Sequence, residues 1–224
     1  MEQKDRELLP ELFPFWNNLK EAEKQLIYAH TILNTYSNGQ SVHGGQEDCT
    51  GVIAVKKGRL RVYLLSEEGK EVTLFRLLER DICLLSASCV MRNISFDIHV
   101  DAEGTTELFV LNSAAYDKIA KGNPAVGSFM TELISMRFSE AMWVMEQILF
   151  MKLDKRLAMF LLEEANLEEG DTITLTHEQI AGHMGTAREV ISRMLKYFSN
   201  EGILSVTRKG IRILDRKRLT EFIG

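Results

Sequence analysis

Leu175-Thr176-His177-Glu178-Gln179-Ile180-Ala181-Gly182-His183-Met184-Gly185-Thr186-Ala187-Arg188-Glu189-Val190-Ile191-Ser192-Arg193-Met194-Leu195 is the stretch whose reading decides the fold. Thr176 and Gln179 have the spacing of a capping box, so a helix starts here. Ile180, Ala181 and Met184 give that helix an apolar face, and the small Ala181 lets a second helix approach closely. Gly185 stands where a tight turn needs positive φ, a conformation glycine adopts without a steric penalty. A second helix opens near Ala187 and packs inward through Val190, Ile191, Met194 and Leu195. Arg188, Glu189, Ser192 and Arg193 then face outward at its N-terminal end, the end that enters a major groove when such a pair binds DNA. Arginine can donate two bonds to guanine O6 and N7, and glutamate can accept from cytosine N4. Charges on an outward helix face are ordinarily just solvated, and a generic helical hairpin yields half of this pattern. The next segment narrows the choice. Gly202-Ile203-Leu204-Ser205-Val206-Thr207 and Gly210-Ile211-Arg212-Ile213 read as two short strands around Arg208-Lys209, a basic-tipped wing placed to touch phosphates.

Charge supports the same division. The 224 residues carry a net charge of -5, an argument against nucleic acid if taken as one number. From His177 to Gly224 there are nine Lys and Arg against five Asp and Glu, so this end is +4 and residues 1–176 carry -9. A basic module on an acidic body is what phosphate binding needs. Composition, 45% hydrophobic and 26% charged, is that of an ordinary globular chain. No apolar run approaches the roughly 18 residues of a membrane span. The start, MEQKDRELLPELF, lacks the apolar core of a signal peptide. A cytoplasmic location is expected.

Upstream, the period changes twice. Residues 5 to about 33 read as short helices anchored by Phe13, Phe15, Trp16, Leu19, Leu26, Ile27, Ile32 and Leu33. From Tyr36 to about Asn112, short strands alternate with glycine-bearing turns. Arg59-Leu60-Arg61-Val62-Tyr63-Leu64 alternates strictly, and Glu67-Glu68-Gly69-Lys70 is a polar turn. These features predict an antiparallel β-roll. After Asn123-Pro124 the pattern is helical and long. Ile134, Phe138, Ala141, Met145 and Ile148 recur at spacings of four and three, the seam of a two-helix contact. The stripe can pack on the chain's own roll. Met130, Leu133, Met142, Trp143 and Leu149 make the helix apolar on further sides, so a second face remains for a partner. A dimer is expected. The predicted class is α+β: an N-terminal antiparallel roll (a cupin-like jelly roll) with flanking helices over 1–124, a long dimerisation helix and hinge over 125–153, and a C-terminal winged helix-turn-helix over 154–224.

This order resembles the catabolite-activator and fumarate-nitrate-regulator (Crp/Fnr) family of bacterial transcription regulators, over nearly the whole chain. The resemblance is most specific in Thr186-Ala187-Arg188-Glu189-Val190-Ile191-Ser192-Arg193, close to the family's recognition-helix pattern of Arg-Glu followed by Ser/Gly-Arg. It implies that Arg188, Glu189 and Arg193, with Ser192 beside them, read bases. Thr176, Gly185, Ala187, Lys196, Thr207 and Lys209 would approach phosphates. Val52-Ile53-Ala54-Val55-Lys56-Lys57-Gly58-Arg59-Leu60 is similar to the Ile-Xaa-Lys-Gly hairpin of the family's cyclic-nucleotide-binding-like domain, and Phe150 to Asp154 then falls on the hinge. The implied partners are promoter DNA, a second copy of the chain, RNA polymerase and a small-molecule effector, as expected of an activator.

The chain departs from the family's effector chemistry. Phe96 and Asp97 stand where the cyclic-nucleotide members place an Arg-Ser pair, and Asp81-Ile82-Cys83-Leu84-Leu85-Ser86 replaces their Gly-Glu. A carboxylate repels a cyclic phosphate, so cyclic AMP is not the expected effector. No cysteine precedes Cys49, so the N-terminal iron–sulfur arrangement is missing as well. The sensing candidates are Cys83, Cys89, Phe96, His99, Met142 and Trp143. The two thiols can be a redox pair, can join His99 as haem or metal ligands, or can simply pack as small hydrophobes, the most frequent fate of a cysteine. A cupin-like enzyme or metal-binding sensor without a DNA role is the competing class. It would need closely spaced histidines, and only His43 and His99 lie in the roll; His30, His177 and His183 lie elsewhere. No catalytic set of nucleophile, base and orienting group stands out.

Overall fold

The computed structural model describes residues 3–45, 50–84 and 97–224. Tertiary contacts divide the chain into two units, Met1–Leu65 with Leu74–Ala141, and Ser66–Thr73 with Met142–Gly224.

The first unit begins with α1 (Gln3–Leu12) and α2 (Glu21–His30), followed by β1 (Thr31–Tyr36), β2 (Ser41–Gly44), β3 (Val52–Leu65), β4 (Glu71–Leu77), β5 (Ile82–Cys83) and β6 (His99–Leu111). The strands form a six-stranded sheet in the order β1-β6-β3-β4, with β2 also on β6 and β5 on β3. β6 is the spine: β3 runs antiparallel along one edge, while β1 and β2 share the other. Alternation decides the faces. Ile53, Val55, Leu108 and Val110 point into one core with Leu60, Val62, Val100 and Ala102. Val52, Ala54, Phe109 and Leu111 point the other way, under Leu9, Phe13, Trp16 and Ile27 of the N-terminal segment. A strand buried on both faces reads as a continuous apolar run, as Val52-Ile53-Ala54-Val55 does.

Two sequence expectations are corrected here. Ile32 and Leu33 end no helix; they belong to β1, paired with Val110 and Phe109 of β6. Gly58 makes no hairpin turn. It lies inside β3 at φ +86°, where the register against β6 shifts between Val55 and Arg59. A Cβ there would sit 2.7 Å from the Thr105 carbonyl oxygen, so the bulge requires glycine.

Two capped helices complete the unit. Asn112 caps α3 (Ser113–Gly122), its side chain accepting from the amides of Ala114 and Ala115. Asn123 then accepts from Ala125 while Pro124 opens α4 (Pro124–Phe150) at the position where proline's missing N–H costs nothing. Tyr116 of α3 is fully buried in the helix-side core, and its hydroxyl has no hydrogen-bond partner among the described residues. Burial pushes the phenol's pKa well up, so the group stays neutral. Its O–H forfeits hydration without compensation. Tyr116→Phe should therefore raise the melting midpoint of this unit by about 2–4 °C, the shift that about 1 kcal/mol brings in a protein of this size. Calorimetry checks this, and a lowered midpoint would reveal a bond to the hydroxyl.

In the second unit the helix breaks after Phe150, and α5 (Leu153–Leu167) restarts behind an extended Lys152. β7 (Thr172–Ile173), α6 (His177–Met184), α7 (Arg188–Asn200), β8 (Leu204–Thr207), β9 (Gly210–Ile213) and α8 (Arg216–Glu221) follow. Leu157, Leu161, Ile180, Ile191, Leu195, Phe198, Ile211 and Leu219 form their own core.

Candidate nucleic-acid interface

The first helix of the pair is fastened at both ends. At its start Gln179 N–H donates to Thr176 Oγ1 at 3.2 Å and Thr176 N–H donates to Gln179 Oε1 at 2.8 Å, a reciprocal capping box. At its end Gly185 takes the left-handed conformation, φ +65° and ψ +38°, and its N–H donates to Ala181 O. Arg156 of α5 donates from Nη2 to Met184 O at 2.6 Å, satisfying a terminal carbonyl with a cation where the helix dipole favours one. Burial lowers the pKa of that guanidinium from the usual arginine range.

α7 buries Ile191, Leu195 and Phe198 at helical spacing. Its opposite face presents Arg188, Glu189, Arg193 and Lys196, all exposed. Ser192 is half-buried instead, its Oγ 2.9 Å from Nδ1 of His177 on α6. That bond ties the two helices together beside the exposed face. β8 and β9 pair antiparallel from Leu204↔Ile213 to Thr207↔Gly210, leaving Arg208 and Lys209 as the wing tip. Thr207 Oγ1 donates to Gly210 O at 3.2 Å and accepts from Lys209 N–H at 3.2 Å, which fixes the turn. β7, absent from the sequence reading, adds a third strand by pairing Thr172 with Arg212 and Ile173 with Ile211.

The base-reading candidates Arg188, Glu189 and Arg193 and the phosphate candidates Thr176, Gly185, Ala187, Lys196, Thr207 and Lys209 are thus exposed within one unit. Sequence reasoning did not find the cross-helix role of His177 or the cap from Arg156. Both act on groups distant in sequence, and only an unassigned polar residue at each position hinted at them.

The sensing candidates are scattered. Cys83 is buried and pairs with Ile53 of β3, whereas His99 pairs with Tyr63 of the same strand and stacks on its ring at 5.4 Å. Ile53 and Tyr63 lie ten positions apart, roughly 33 Å along the strand, so the structure does not bring Cys83 and His99 together. Cys49, Cys89 and Phe96 lie outside the described residues. Among the described residues no group of three His, Cys, Asp or Glu is placed to hold a metal, and no helix is long and apolar enough to cross a membrane. On α4, Ile134 and Ala141 are half-buried, while Phe138, Met142, Trp143, Met145 and Ile148 are exposed.

Residues 155–222 match the Crp-like helix-turn-helix domain. A structure assigned to the Crp/Fnr family of transcriptional regulators, from Eubacterium rectale ATCC 33656, is 46% identical, with a TM-score of 0.93 over 95% of this chain and 99% of that one. The transcriptional regulatory protein btr of Bordetella pertussis is 22% identical over 83% of this chain and 78% of its own length. An anaerobic regulatory protein of Haemophilus influenzae is 26% identical over 80% of this chain and 71% of its own length. A two-helix reader with a wing, behind an antiparallel roll and a long helix, defines a class of DNA-binding transcription regulators rather than enzymes. Within that class the chain belongs to the Crp/Fnr family.

Proposed function

We propose that the chain acts as an effector-responsive homodimer that reads an inverted-repeat promoter site in the cytoplasm and contacts RNA polymerase there as an activator. The observation that carries this is the exposed row Arg188, Glu189 and Arg193 on α7, flanked by Lys209 at the wing tip. Arg188 and Arg193 donate to bases and Glu189 accepts from one, while Lys196, Lys209 and the exposed backbone near Thr176 and Ala187 face phosphates. Residues 1–124 sense, α4 pairs two copies, and residues 154–224 bind DNA. Two-fold symmetry sets the half-sites about 34–36 Å apart, one helical turn.

Selection of binding sites from random duplex DNA by the full-length chain tests the reading. An enriched inverted repeat with that spacing supports it; recovery of sequences without two-fold symmetry sinks it. Lys209→Ala should weaken all duplexes alike and flatten the salt dependence of log K by about one unit. A change confined to one site would instead make Lys209 a base reader.

Cyclic AMP is not the effector on this reading, because Asp97 places a carboxylate where the cyclic-nucleotide members carry a phosphate ligand. An effector with an apolar body fits better a roll whose core residues Leu60, Phe75, Leu77 and Val100 are apolar. Micromolar cyclic AMP binding that also raised DNA affinity would overturn this.

A further inference from the structure

A polar bond joins α6 to α7: Oγ of Ser192 lies 2.9 Å from Nδ1 of His177. His177 is the first residue of α6, and Ser192 lies one turn into α7, beside the exposed Glu189 and Arg193. Both residues are half-buried, and among the described residues neither side chain makes another hydrogen bond. Apolar packing already holds the two helices together, since Ile180 and Ala181 share one buried core with Ile191 and Leu195. A serine inside a helix ordinarily bonds the carbonyl four residues back, here that of Arg188, which turns the hydroxyl along its own helix. His177 holds it across the pair instead.

The bond also decides what the hydroxyl can read. A neutral imidazole carries one ring proton, and the nitrogen without it accepts. Nε2, at the other edge of the half-exposed ring, has no protein partner among the described residues. The ring stands next to Thr176, which the DNA-bound arrangement above sets against phosphates, and a phosphate oxygen only accepts. The proton therefore belongs on Nε2, where it donates outward, and Nδ1 accepts from the Ser192 O–H. With its proton so engaged, Ser192 Oγ offers only lone pairs. Serine by itself reads donors and acceptors alike, whereas this one reads donors alone, and the major-groove donors are adenine N6 and cytosine N4.

We propose that His177 is a positioning residue for base readout: by accepting the Ser192 O–H it makes that serine an acceptor for the major-groove amine of one adenine or cytosine in each half-site. This deepens the DNA-binding reading above and rests on it.

Anisotropy titrations of the full-length chain test it, on the duplex enriched from random DNA and its single-pair variants, at about pH 8, above the ordinary histidine range. At one position of each half-site, adenine and cytosine on one strand should bind alike, and guanine and thymine about three- to tenfold more weakly, the worth of one hydrogen bond. Replacing that adenine by 2-aminopurine, which pairs with thymine but carries its amine in the minor groove, should cost the wild type the same factor. Ser192→Ala and His177→Phe should each abolish discrimination at this position and at no other. His177→Asp supplies an acceptor in place of Nδ1 but repels phosphate, so it should keep the preference while weakening all duplexes alike. The aminopurine duplex and His177→Asp carry the test if His177→Phe does not fold. The proposal fails if no such position exists, if the wild type binds the aminopurine duplex undiminished, or if His177→Asp loses the preference. It fails equally if a folded His177→Phe keeps the preference or loses affinity for every duplex alike. Arg188→Ala on the same duplexes separates the two readings: discrimination lost there, with none lost by His177→Phe, leaves α7 as the reading helix and removes only the role of the histidine.

Discussion

Replacing Met145 and Ile148 together by aspartate should leave the chain monomeric and remove most of its DNA affinity. Both side chains are over 40% exposed in the single chain, alongside Phe138, Trp143, Leu149 and Phe150, the last 81% exposed. A contiguous apolar stripe of this kind on a long helix marks an interaction surface. Aspartates there cost an isolated chain little, since they stay hydrated. In a helix pair they bring four carboxylates into an apolar seam, and each unpaired buried charge costs several kcal/mol. Losing the second reading head removes the avidity of a two-site contact, a factor of about a hundred or more. Sedimentation and DNA-binding anisotropy on the same preparations check this. A wild-type chain found monomeric at concentrations where it binds its site would remove the dimer from the account.

Arg188→Ala should weaken binding to the preferred site by about 1–3 kcal/mol, roughly 5- to 150-fold, and relax discrimination at one base pair of each half-site. Arg188 is the first residue of α7 and is exposed, with its backbone position set by Ala187 in extended conformation and its helix packed through Ile191 and Leu195. The loss is therefore of contact, not of fold. Arg193→Ala, one and a half turns on, should relax a different position. Glu189→Ala should change selectivity more than affinity, since a carboxylate that accepts from a base also repels phosphate. Unaltered discrimination between cognate and mismatched sites by Arg188→Ala would show that α7 is not the reading helix.

The reading head was legible because its signals are local. A capping box, a left-handed glycine and an apolar face at helical spacing are all set within one or two turns, and Thr176, Gly185 and Ile191 behave accordingly. The roll was legible only in class. Thr31-Ile32-Leu33-Asn34 is too short to show a period, so β1 reads as the end of a helix, and its identity as a strand comes from β6, far along the chain. Gly58 reads as a turn because positive φ is all a sequence can suggest; whether it serves a hairpin or a bulge depends on the partner strand's register. Arg137 of α4 is illegible for a related reason. Seam logic assigns buried helix positions to apolar residues, whereas this buried guanidinium meets the Phe75 ring and the Ile82 carbonyl, and both contacts are tertiary.

The separation of the hydrophobic cores has a calorimetric consequence. One cluster is built wholly from residues 153–223, and the other two from residues 8–133, with no side chain common to both groups. Cooperative unfolding is transmitted through shared packing, so heating should produce two overlapping transitions and not a single all-or-none melt. The duplex then acts as a label. A duplex carrying the cognate site should lift the transition of the segment that grips it, by RT ln(1 + [L]/Kd), and leave the other in place. One scan with and one without it would sort the two peaks. A single sharp endotherm, raised as a whole by the duplex, would mean that the molecule melts as one body.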